Sequence, residues 1–187
     1  GTVGRPLPGG ELRIMGDAGP VPPGEVGVIE VRGPNVFQGY WQMPEKTREE
    51  LRPDGWFITG DLGRVDADGY VQIVGRAKDL VITGGFNVYP IEIEMVLDEQ
   101  SGVLESAVIG LPHPDFGEDF FADWVAPMGV TLDVALVLAG LRDRLARFKQ
   151  PKAAVVLDAL PRNAMGKVQK AELRKTYAAW FAAKENS

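Results

Sequence analysis

The chain has 187 residues, of which 45% are hydrophobic and none is cysteine, and its formal net charge is −6. This composition predicts a globular chain that can bury a core, and the lack of cysteine excludes disulfides, thiolate metal sites and a cysteine nucleophile. Because the balance of charge is acidic, no apolar run has membrane-spanning length and no thiol needs oxidation, we expect a cytoplasmic protein without nucleic-acid or membrane partners.

Residues 1–74 are rich in glycine and proline and contain short segments in which apolar and polar residues alternate. The clearest predicted strands are Leu12 to Met15, Val26 to Arg32 and Tyr70 to Val74, with turns at Pro22-Pro23-Gly24 and at Asp66-Ala67-Asp68-Gly69. This pattern predicts a small antiparallel β unit.

A hairpin is predicted within the stretch Gly75 to Glu94, which reads GRAKDLVITGGFNVYPIEIE. Two apolar runs, Leu80 to Thr83 and Phe86 to Tyr89, flank a Gly84-Gly85 pair that favours a tight turn. Glycine at a turn also lets another group approach the backbone closely. A new folding unit therefore begins here.

The rest of the chain alternates predicted helices and strands. Pro90 stands at the first position of a helix, where proline is favoured, and an apolar stripe runs above an acidic face of Glu92 and Glu94. Further predicted elements are the strands Glu105 to Leu111, Phe120 to Pro127 and Ala153 to Leu157, and the helices Thr131 to Arg147 and Lys170 to Ala183. They predict a compact α/β domain of about 110 residues in two or three layers, so the whole chain is α+β.

Charge is distributed unevenly along this second part. Asp79 to Leu141 holds eleven acidic residues and no Lys or Arg, whereas Arg142 to Lys175 holds ten basic residues and three acidic ones. One face therefore carries positive potential. The basic segment is either a solvated helix surface or a surface for a phosphate-rich ligand.

Three polar residues could carry chemistry, and each also has an ordinary structural interpretation. Asp61 follows an apolar run, where its carboxylate either projects into a cleft as a hydrogen-bond acceptor or bonds to its own turn. Lys167 follows Gly166 in a loop, where a lysine is ordinarily exposed and inert. His113, the only histidine, lies between two prolines and is predicted to be structural.

Three ordered motifs together resemble the carboxylate-activating adenylate-forming ligases, the superfamily of acyl-CoA synthetases, luciferases and peptide-synthetase adenylation domains. They are Gly55-Trp56-Phe57-Ile58-Thr59-Gly60-Asp61, the stretch Gly75 to Glu94, and Pro161-Arg162-Asn163-Ala164-Met165-Gly166-Lys167. The resemblance covers nearly all of the chain, and the wording of the second and third motifs looks most like malonyl-CoA synthetases.

The resemblance implies a domain organisation. Residues 1–77 would be the last β subdomain, a distorted barrel, of a large nucleotide-binding domain, and residues 78–187 a mobile C-terminal α/β domain. The earlier part of the large domain would be missing, because we find no Ser/Thr/Gly-rich phosphate loop. The chain begins at Gly1 without Met, so we expect a processed product or a piece of a longer protein.

The resemblance also implies roles for the nucleotide side of a site. Lys167 would be the catalytic lysine, which touches both the carboxylate substrate and the α-phosphate of ATP. Asp61 and Arg76 would contact the ribose of ATP or AMP, and Lys78 would be the hinge between the domains. Mg²⁺ would accompany the phosphates of ATP, and no residue of this chain is assigned to a metal.

A second group of residues would bind CoA. The hairpin residues that would line the tunnel for its pantetheine arm are Gly84, Gly85 and Phe86. The basic residues that are candidates for its phosphates are Lys149, Lys152 and Arg162. In the third motif, Asn163-Ala164-Met165 stands where Thr or Ser is usual before Gly-Lys, which leaves the secondary contacts of the loop open but keeps the lysine.

We therefore expect the C-terminal part of an ATP-dependent acid:CoA ligase, with malonate or methylmalonate as the acid and ATP, Mg²⁺ and CoA as cofactors or co-substrates. Without the missing N-terminal domain, the fragment alone is expected to be inactive. One alternative is an adenylation domain that loads the pantetheine of a carrier protein, which would share every motif. The other is a stand-alone binding module without activity.

Overall fold

The computed structural model of the protein describes residues 2–184, and the chain divides into two compact units, Gly1–Lys78 and Asp79–Ser187. Gly1 and residues 185–187, which our predicted domains 1–77 and 78–187 include, lie outside the described residues. The assignment of the units to a large domain and a mobile C-terminal domain stays a prediction. Within residues 2–184, none of the helices is long and apolar enough to cross a bilayer.

The first unit is built on a five-stranded antiparallel sheet with the order β2-β1-β3-β4-β5. Its elements are β1 (Glu11–Gly16), β2 (Gly19–Pro20), β3 (Gly27–Arg32), α1 (Pro44–Glu50), β4 (Phe57–Val65) and β5 (Val71–Arg76). The antiparallel unit predicted from the sequence is thus confirmed. The described strands form an open path rather than a closed barrel.

A buried ion cluster supplements the small apolar core of this unit. Glu30 of β3 is 1% exposed, and its carboxylate accepts hydrogen bonds from Arg13 and Arg52, each 2.6 Å from nitrogen to oxygen. Burial raises the pKa of the Glu30 carboxyl, but the two arginines outweigh burial and hold this pKa below its ordinary value. Trp56 lies under the Arg13 guanidinium, 4.2 Å from the ring centroid, so this part of the first motif is structural.

The second unit packs helices on both faces of a mixed sheet. Its strands are β6 (Val81–Thr83), β7 (Phe86–Val88), β8 (Glu105–His113), β9 (Gly117–Val125) and β10 (Ala153–Leu157). Its helices are α2 (Pro90–Asp98), α3 (Val134–Gly140), α4 (Lys170–Tyr177) and α5 (Trp180–Lys184). The strand order is β10-β9-β6-β7, β8 pairs with β9, and β9 and β10 are parallel.

Successive residues of β9 point to opposite faces of this sheet and divide the core in two. One cluster packs Phe120 and Trp124 against α2 and α3, and the other packs Phe121 against Leu173 of α4 and Phe181 of α5. The α+β class and a layered second unit are therefore confirmed, and the arrangement has three layers, helix, sheet and helix.

Two predicted helices were too long. The helix expected from Thr131 to Arg147 covers only Val134–Gly140 and ends at a glycine, which is a weak helix former. A Cβ on Gly140 would lie 2.7 Å from the Gln100 Oε1 atom.

The helix expected from Lys170 to Ala183 breaks into α4 and α5 after Tyr177. The break lets two aromatic rings, Tyr177 and Trp180, reach the same partner, Phe121, with centroid distances of 4.6 and 4.8 Å.

The predicted acidic face of α2 was wrong for one of its two residues. Glu94 is 7% exposed, and its Oε1 atom accepts a hydrogen bond from the Val108 backbone N–H at 2.8 Å and pairs with Lys170 at 2.5 Å. Glu92 is partly exposed and pairs with Lys149. A helical pattern assigns every charge to solvent, but Glu94 is balanced by a cation from a distant segment.

Asp123 is a buried carboxyl without a partner. It lies in the middle of β9, is fully buried, and neither carboxylate oxygen has a hydrogen-bond donor among the described residues. Burial raises its pKa to about 7. Burial and the nearby charge of Asp123 both raise the pKa of the Tyr177 hydroxyl in α4.

Asp123 should make the second unit less stable as pH rises. Because the folded state binds the proton more tightly than the unfolded chain, its contribution to the free energy of unfolding is largest at acidic pH and falls as pH rises toward its folded pKa of about 7. Between pH 5.5 and 8.5, the free energy of unfolding of the native chain should fall by about 2 kcal/mol because of Asp123. In Asp123→Asn, which has no carboxyl to titrate at this position, that fall should be absent. Urea unfolding followed by tryptophan fluorescence measures this, with the exposed Asp158→Asn as a charge-matched control. Equal pH dependence of the two variants would contradict it.

Candidate functional site

The two residues predicted to contact a nucleotide ribose lie side by side. Asp61 of β4 and Arg76 of β5 are register partners, and the Arg76 Nε atom lies 2.8 Å from the Asp61 Oδ1 atom. Arg76 also donates a hydrogen bond to the carbonyl of Thr59 at 3.2 Å. Both charged side chains stay partly accessible, so this edge of the sheet offers a fixed carboxylate beside a cation.

Lys167 lies in a short loop whose backbone is held by Asn163. The Asn163 side-chain oxygen accepts hydrogen bonds from the backbone N–H groups of Met165 and Lys167, both at 3.0 Å. The Asn163 N–H in turn donates to the Lys167 carbonyl at 3.0 Å, and Gly166 has a φ of +78° that suits glycine. Asn163, which lies in the segment that departs from the usual motif, therefore holds the backbone of this loop in place.

The Lys167 side chain itself is exposed, and its ammonium group makes no hydrogen bond or ion pair with any residue from 2 to 184. Other basic residues near it in the chain are already paired. Arg162 pairs with Glu105 and donates to the Gly166 carbonyl at 2.6 Å, and Lys170 pairs with Glu94. The loop thus combines a fixed backbone with an uncommitted cation.

The hairpin predicted from Gly84-Gly85 forms with a two-residue turn. Both glycines have positive φ, +54° and +84°, as the hairpin turn of this twist requires, and Thr83 pairs with Phe86 across it. Phe86 lies in β7, the edge strand of the described sheet, and is half exposed.

A cavity of about 430 Å³ opens beside this hairpin. It is lined by residues that include Gly84, Phe86, Asp119, Arg147, Phe148 and Lys152. Phe86 and Phe148 stack with their ring centroids 4.4 Å apart and form an aromatic wall. The cavity therefore offers an apolar surface, two cations and one carboxylate, a combination that suits a ligand with both a flat or apolar part and phosphates.

The structure brings three of the six predicted CoA residues to this cavity, namely Gly84, Phe86 and Lys152. Gly85 completes the hairpin turn. Lys149 is held by Glu92, and Arg162 is held in the Lys167 loop by Glu105, so neither lines the cavity.

Two predicted residues remain, Lys78 and His113. The His113 ring centroid lies 4.9 Å from that of Phe116, a residue that lines the cavity. Lys78 is exposed in a short 3-10 helix, Ala77–Asp79, at the end of the first unit, and its hinge role stays a prediction. His113 ends β8, accepts a hydrogen bond from the Asp115 N–H at 3.2 Å and packs near the Phe181 ring.

Family models match both parts of the chain. The model described as AMP-binding enzyme matches residues 1–41, and the model described as AMP-binding enzyme C-terminal domain matches residues 92–167. The chain belongs to the AMP-binding enzyme family.

Relatives of this chain include CoA ligases. A feruloyl-CoA synthase of Amycolatopsis is 47% identical over 95% of the chain and 36% of that protein, and a malonate–CoA ligase of Arabidopsis thaliana is 40% identical over 94% of the chain and 30% of that protein. The crystal structure of ATP-bound MatB from Rhodopseudomonas palustris is 58% identical with a TM-score of 0.91, covering 97% of this chain and 36% of that one. The chain thus spans about a third of the length of these relatives.

Sequence reasoning missed several residues that shape the candidate site. The cavity residues without a predicted role were Thr83, Phe116, Asp119, Arg147 and Phe148. The Phe148-Lys149 pair beside Lys152 was a usable signal, because an aromatic residue within a basic segment suits a ligand with a flat ring and phosphates. Asp119 gave no signal, because an acidic residue just before the predicted strand Phe120 to Pro127 suits an exposed position.

Removing the Asn163 side chain should loosen the Lys167 loop. Asn163→Ala deletes the acceptor of two backbone hydrogen bonds, each worth about 1 kcal/mol, so the amides of Met165 and Lys167 should exchange with solvent about five to ten times faster. Asn163→Asp keeps the acceptor and is the matched control. Equal exchange rates in the two variants, measured by NMR, would contradict the role of this side chain.

Proposed function

We propose that this chain is part of an ATP-dependent acid:CoA ligase and carries its catalytic lysine, a ribose-binding pair and the CoA-facing hairpin. The observation that carries the proposal is the Lys167 loop, in which the backbone is fixed by Asn163 and the exposed ammonium has no partner within residues 2–184. A committed lysine could not serve two incoming anions. The activity itself needs the remaining two thirds of the length that the relatives have.

In the first step, a carboxylate oxygen attacks the α-phosphorus of ATP, the bond to the bridging oxygen breaks, and pyrophosphate leaves. Two anions must meet, so a point charge that touches both lowers the barrier by positioning and electrostatic stabilisation, without a general base. Lys167 supplies that charge. Mg²⁺ arrives on the phosphates, and the residues described here gather no group of three His, Cys, Asp or Glu that could hold it.

The ribose of the nucleotide is held at the Asp61 and Arg76 edge. An ionised carboxylate accepts two hydrogen bonds from a diol, and Arg76 fixes the orientation of the Asp61 carboxylate from the neighbouring strand. Lys78 then serves as the residue whose backbone dihedrals change when the second unit moves.

In the second step, the sulfur of CoA attacks the acyl carbon of the adenylate, the thiol proton is lost, and AMP leaves with the oxygen of the cleaved bond. The cavity beside the hairpin supports CoA as the acceptor, because Arg147 and Lys152 suit phosphates and Phe86 and Phe148 offer an apolar wall. A carrier-protein pantetheine, the first alternative, would not require both cations in the cavity.

The acid in our proposal is malonate or methylmalonate. The wording of the two later motifs and the malonate–CoA ligase of Arabidopsis support it. The residues that choose the acid lie outside this chain, and a feruloyl-CoA synthase and an indoleacetate–CoA ligase are 47% and 46% identical to it. The acid assignment therefore depends on a direct assay.

Lys167→Ala should separate the two steps in the complete ligase. Adenylate formation, measured as ATP–pyrophosphate exchange, should fall by about 10² to 10³ or more, because one electrostatic contact to the transition state is lost. Thioester formation from a supplied acyl adenylate should stay within about twofold, since Lys167 has no part in that step. Lys175→Ala, an exposed lysine of α4, is the matched control.

Equal loss of both steps in Lys167→Ala would contradict the assigned role. The 187-residue chain alone should give no exchange, as an incomplete part of a ligase. Exchange by the isolated chain would show that it is catalytically complete, and the stand-alone binding module is favoured only if the complete protein also fails to exchange.

A panel of acids and acceptors should identify the substrates of the complete ligase. Malonate or methylmalonate should give the highest rate of AMP release among malonate, methylmalonate, ferulate and indoleacetate, and CoA should replace a carrier protein as acceptor. A higher rate with an aromatic acid would overturn the acid assignment. A strict need for a carrier protein would overturn the acceptor.

A further inference from the structure

Asp119 is a buried carboxylate in the wall of the cavity beside the hairpin. It lies in β9 and is 2% exposed, yet its side chain lines the cavity. Its Oδ1 atom accepts a hydrogen bond from the N–H of Phe120 at 2.7 Å. Its second oxygen, Oδ2, accepts no hydrogen bond from any residue that the structure describes.

The Asp119 Oδ2 atom is not one of the fully buried acceptors that lack a partner in the described residues, so it keeps access from the cavity that its side chain lines. A donor placed in the cavity can therefore reach it. Burial already raises the pKa of the Asp119 carboxyl, against the lowering by the Phe120 N–H and by the nearby Lys152. No ion pair joins Asp119 to Lys152 within the described residues, so the lysine does not occupy the free oxygen. The free oxygen therefore remains available to a ligand.

The charges of the cavity decide which part of a ligand can face Asp119. Arg147 and Lys152 attract phosphates, whereas a phosphate against the Asp119 carboxylate would be repelled. The group that meets Asp119 must therefore be an uncharged or cationic donor on a molecule that also carries phosphates. CoA has such donors in two places, the amide N–H groups of its pantetheine arm and the amine of its adenine.

We propose that Asp119 is a specificity-determining residue of this cavity, whose free carboxylate oxygen accepts a hydrogen bond from an uncharged N–H group of CoA. The inference rests on the proposed function, because it takes CoA as the occupant. Such a hydrogen bond lets the Asp119 carboxylate strengthen the binding of a phosphate-rich ligand that carries an N–H donor in the right place. Without that donor, the same carboxylate disfavours a phosphate-rich ligand.

The test is a calorimetric titration of the 187-residue chain with CoA. Asp119→Asn keeps an oxygen for the Phe120 N–H and presents N–H donors to the cavity, so the Kd for CoA should rise about tenfold or more. Asp119→Ser, which removes the charge in a smaller side chain, should weaken CoA in the same direction. Asp115→Asn, an exposed carboxylate just before β9, removes the same charge and should leave the Kd unchanged.

Two fragments of CoA distinguish the source of the donor. If the donor is the adenine amine, Asp119→Asn weakens adenosine 3′,5′-bisphosphate and leaves pantetheine unaffected, and the reverse holds if the donor is a pantetheine amide. Unchanged or tighter CoA binding by the Asp119 variants would overturn the proposal, because a carboxylate that only repels phosphates gives tighter binding when it is removed.

Lys152→Ala separates this proposal from the proposed function. If it weakens CoA in a salt-dependent way while Asp119→Asn does not, the CoA site stands and the role of Asp119 falls. If the native chain binds no CoA at all, the CoA assignment of the cavity and the role of Asp119 fall together.

Discussion

The second unit depends on one buried carboxylate, that of Glu94. It links three elements, because it belongs to α2, accepts a hydrogen bond from the Val108 N–H of β8 and pairs with Lys170 at the start of α4. A buried charge is tolerated only when its partners offset the loss of water, and here a backbone N–H and an ammonium do so. Since Lys170 follows Lys167 closely, the ion pair also fixes where the Lys167 loop leaves the body of the unit. Arg174 adds a second tie from α4, to Asp79 at 2.6 Å.

Local patterns were enough to predict most strands, but not the charges that hold the elements together. Period-two alternation located β1, β3 and β5, and the Gly84-Gly85 pair located the hairpin, because these signals lie within a few residues. The positions that failed depend on distant contacts. The Gln100 side chain fills the space where a Cβ of residue 140 would lie, and Lys170 balances the buried charge of Glu94. No local rule contains either partner.

The candidate site shows the same division. Motif wording located Lys167 and the hairpin, whereas the contact between Asp61 and Arg76 requires the register of β4 and β5, and β4 was not predicted as a strand. The cavity joins the hairpin, the start of β9 and the basic segment around Phe148, three parts that are separate in the sequence. Which residues line the cavity is therefore decided by the tertiary fold and cannot be read from any one segment of the sequence. For that reason Asp119 became a candidate only when its burial and its free oxygen were visible.

The geometry of the second unit bears on how one unit can serve two reaction steps. The Lys167 loop is anchored through Arg162 to Glu105, at the start of β8, whereas the cavity lies near Asp119, whose partner in β8 is Leu111. A strand rises about 3.4 Å per residue, so these two places are roughly 20 Å apart along the same rigid strand pair. The Lys167 loop and the cavity are therefore presented at different places along this strand pair. In our proposal, adenylation needs Lys167 at that group and thioester formation needs the CoA cavity there. Two positions of the unit, exchanged through a hinge such as Lys78, are our proposal for how these separated groups serve the two steps in turn.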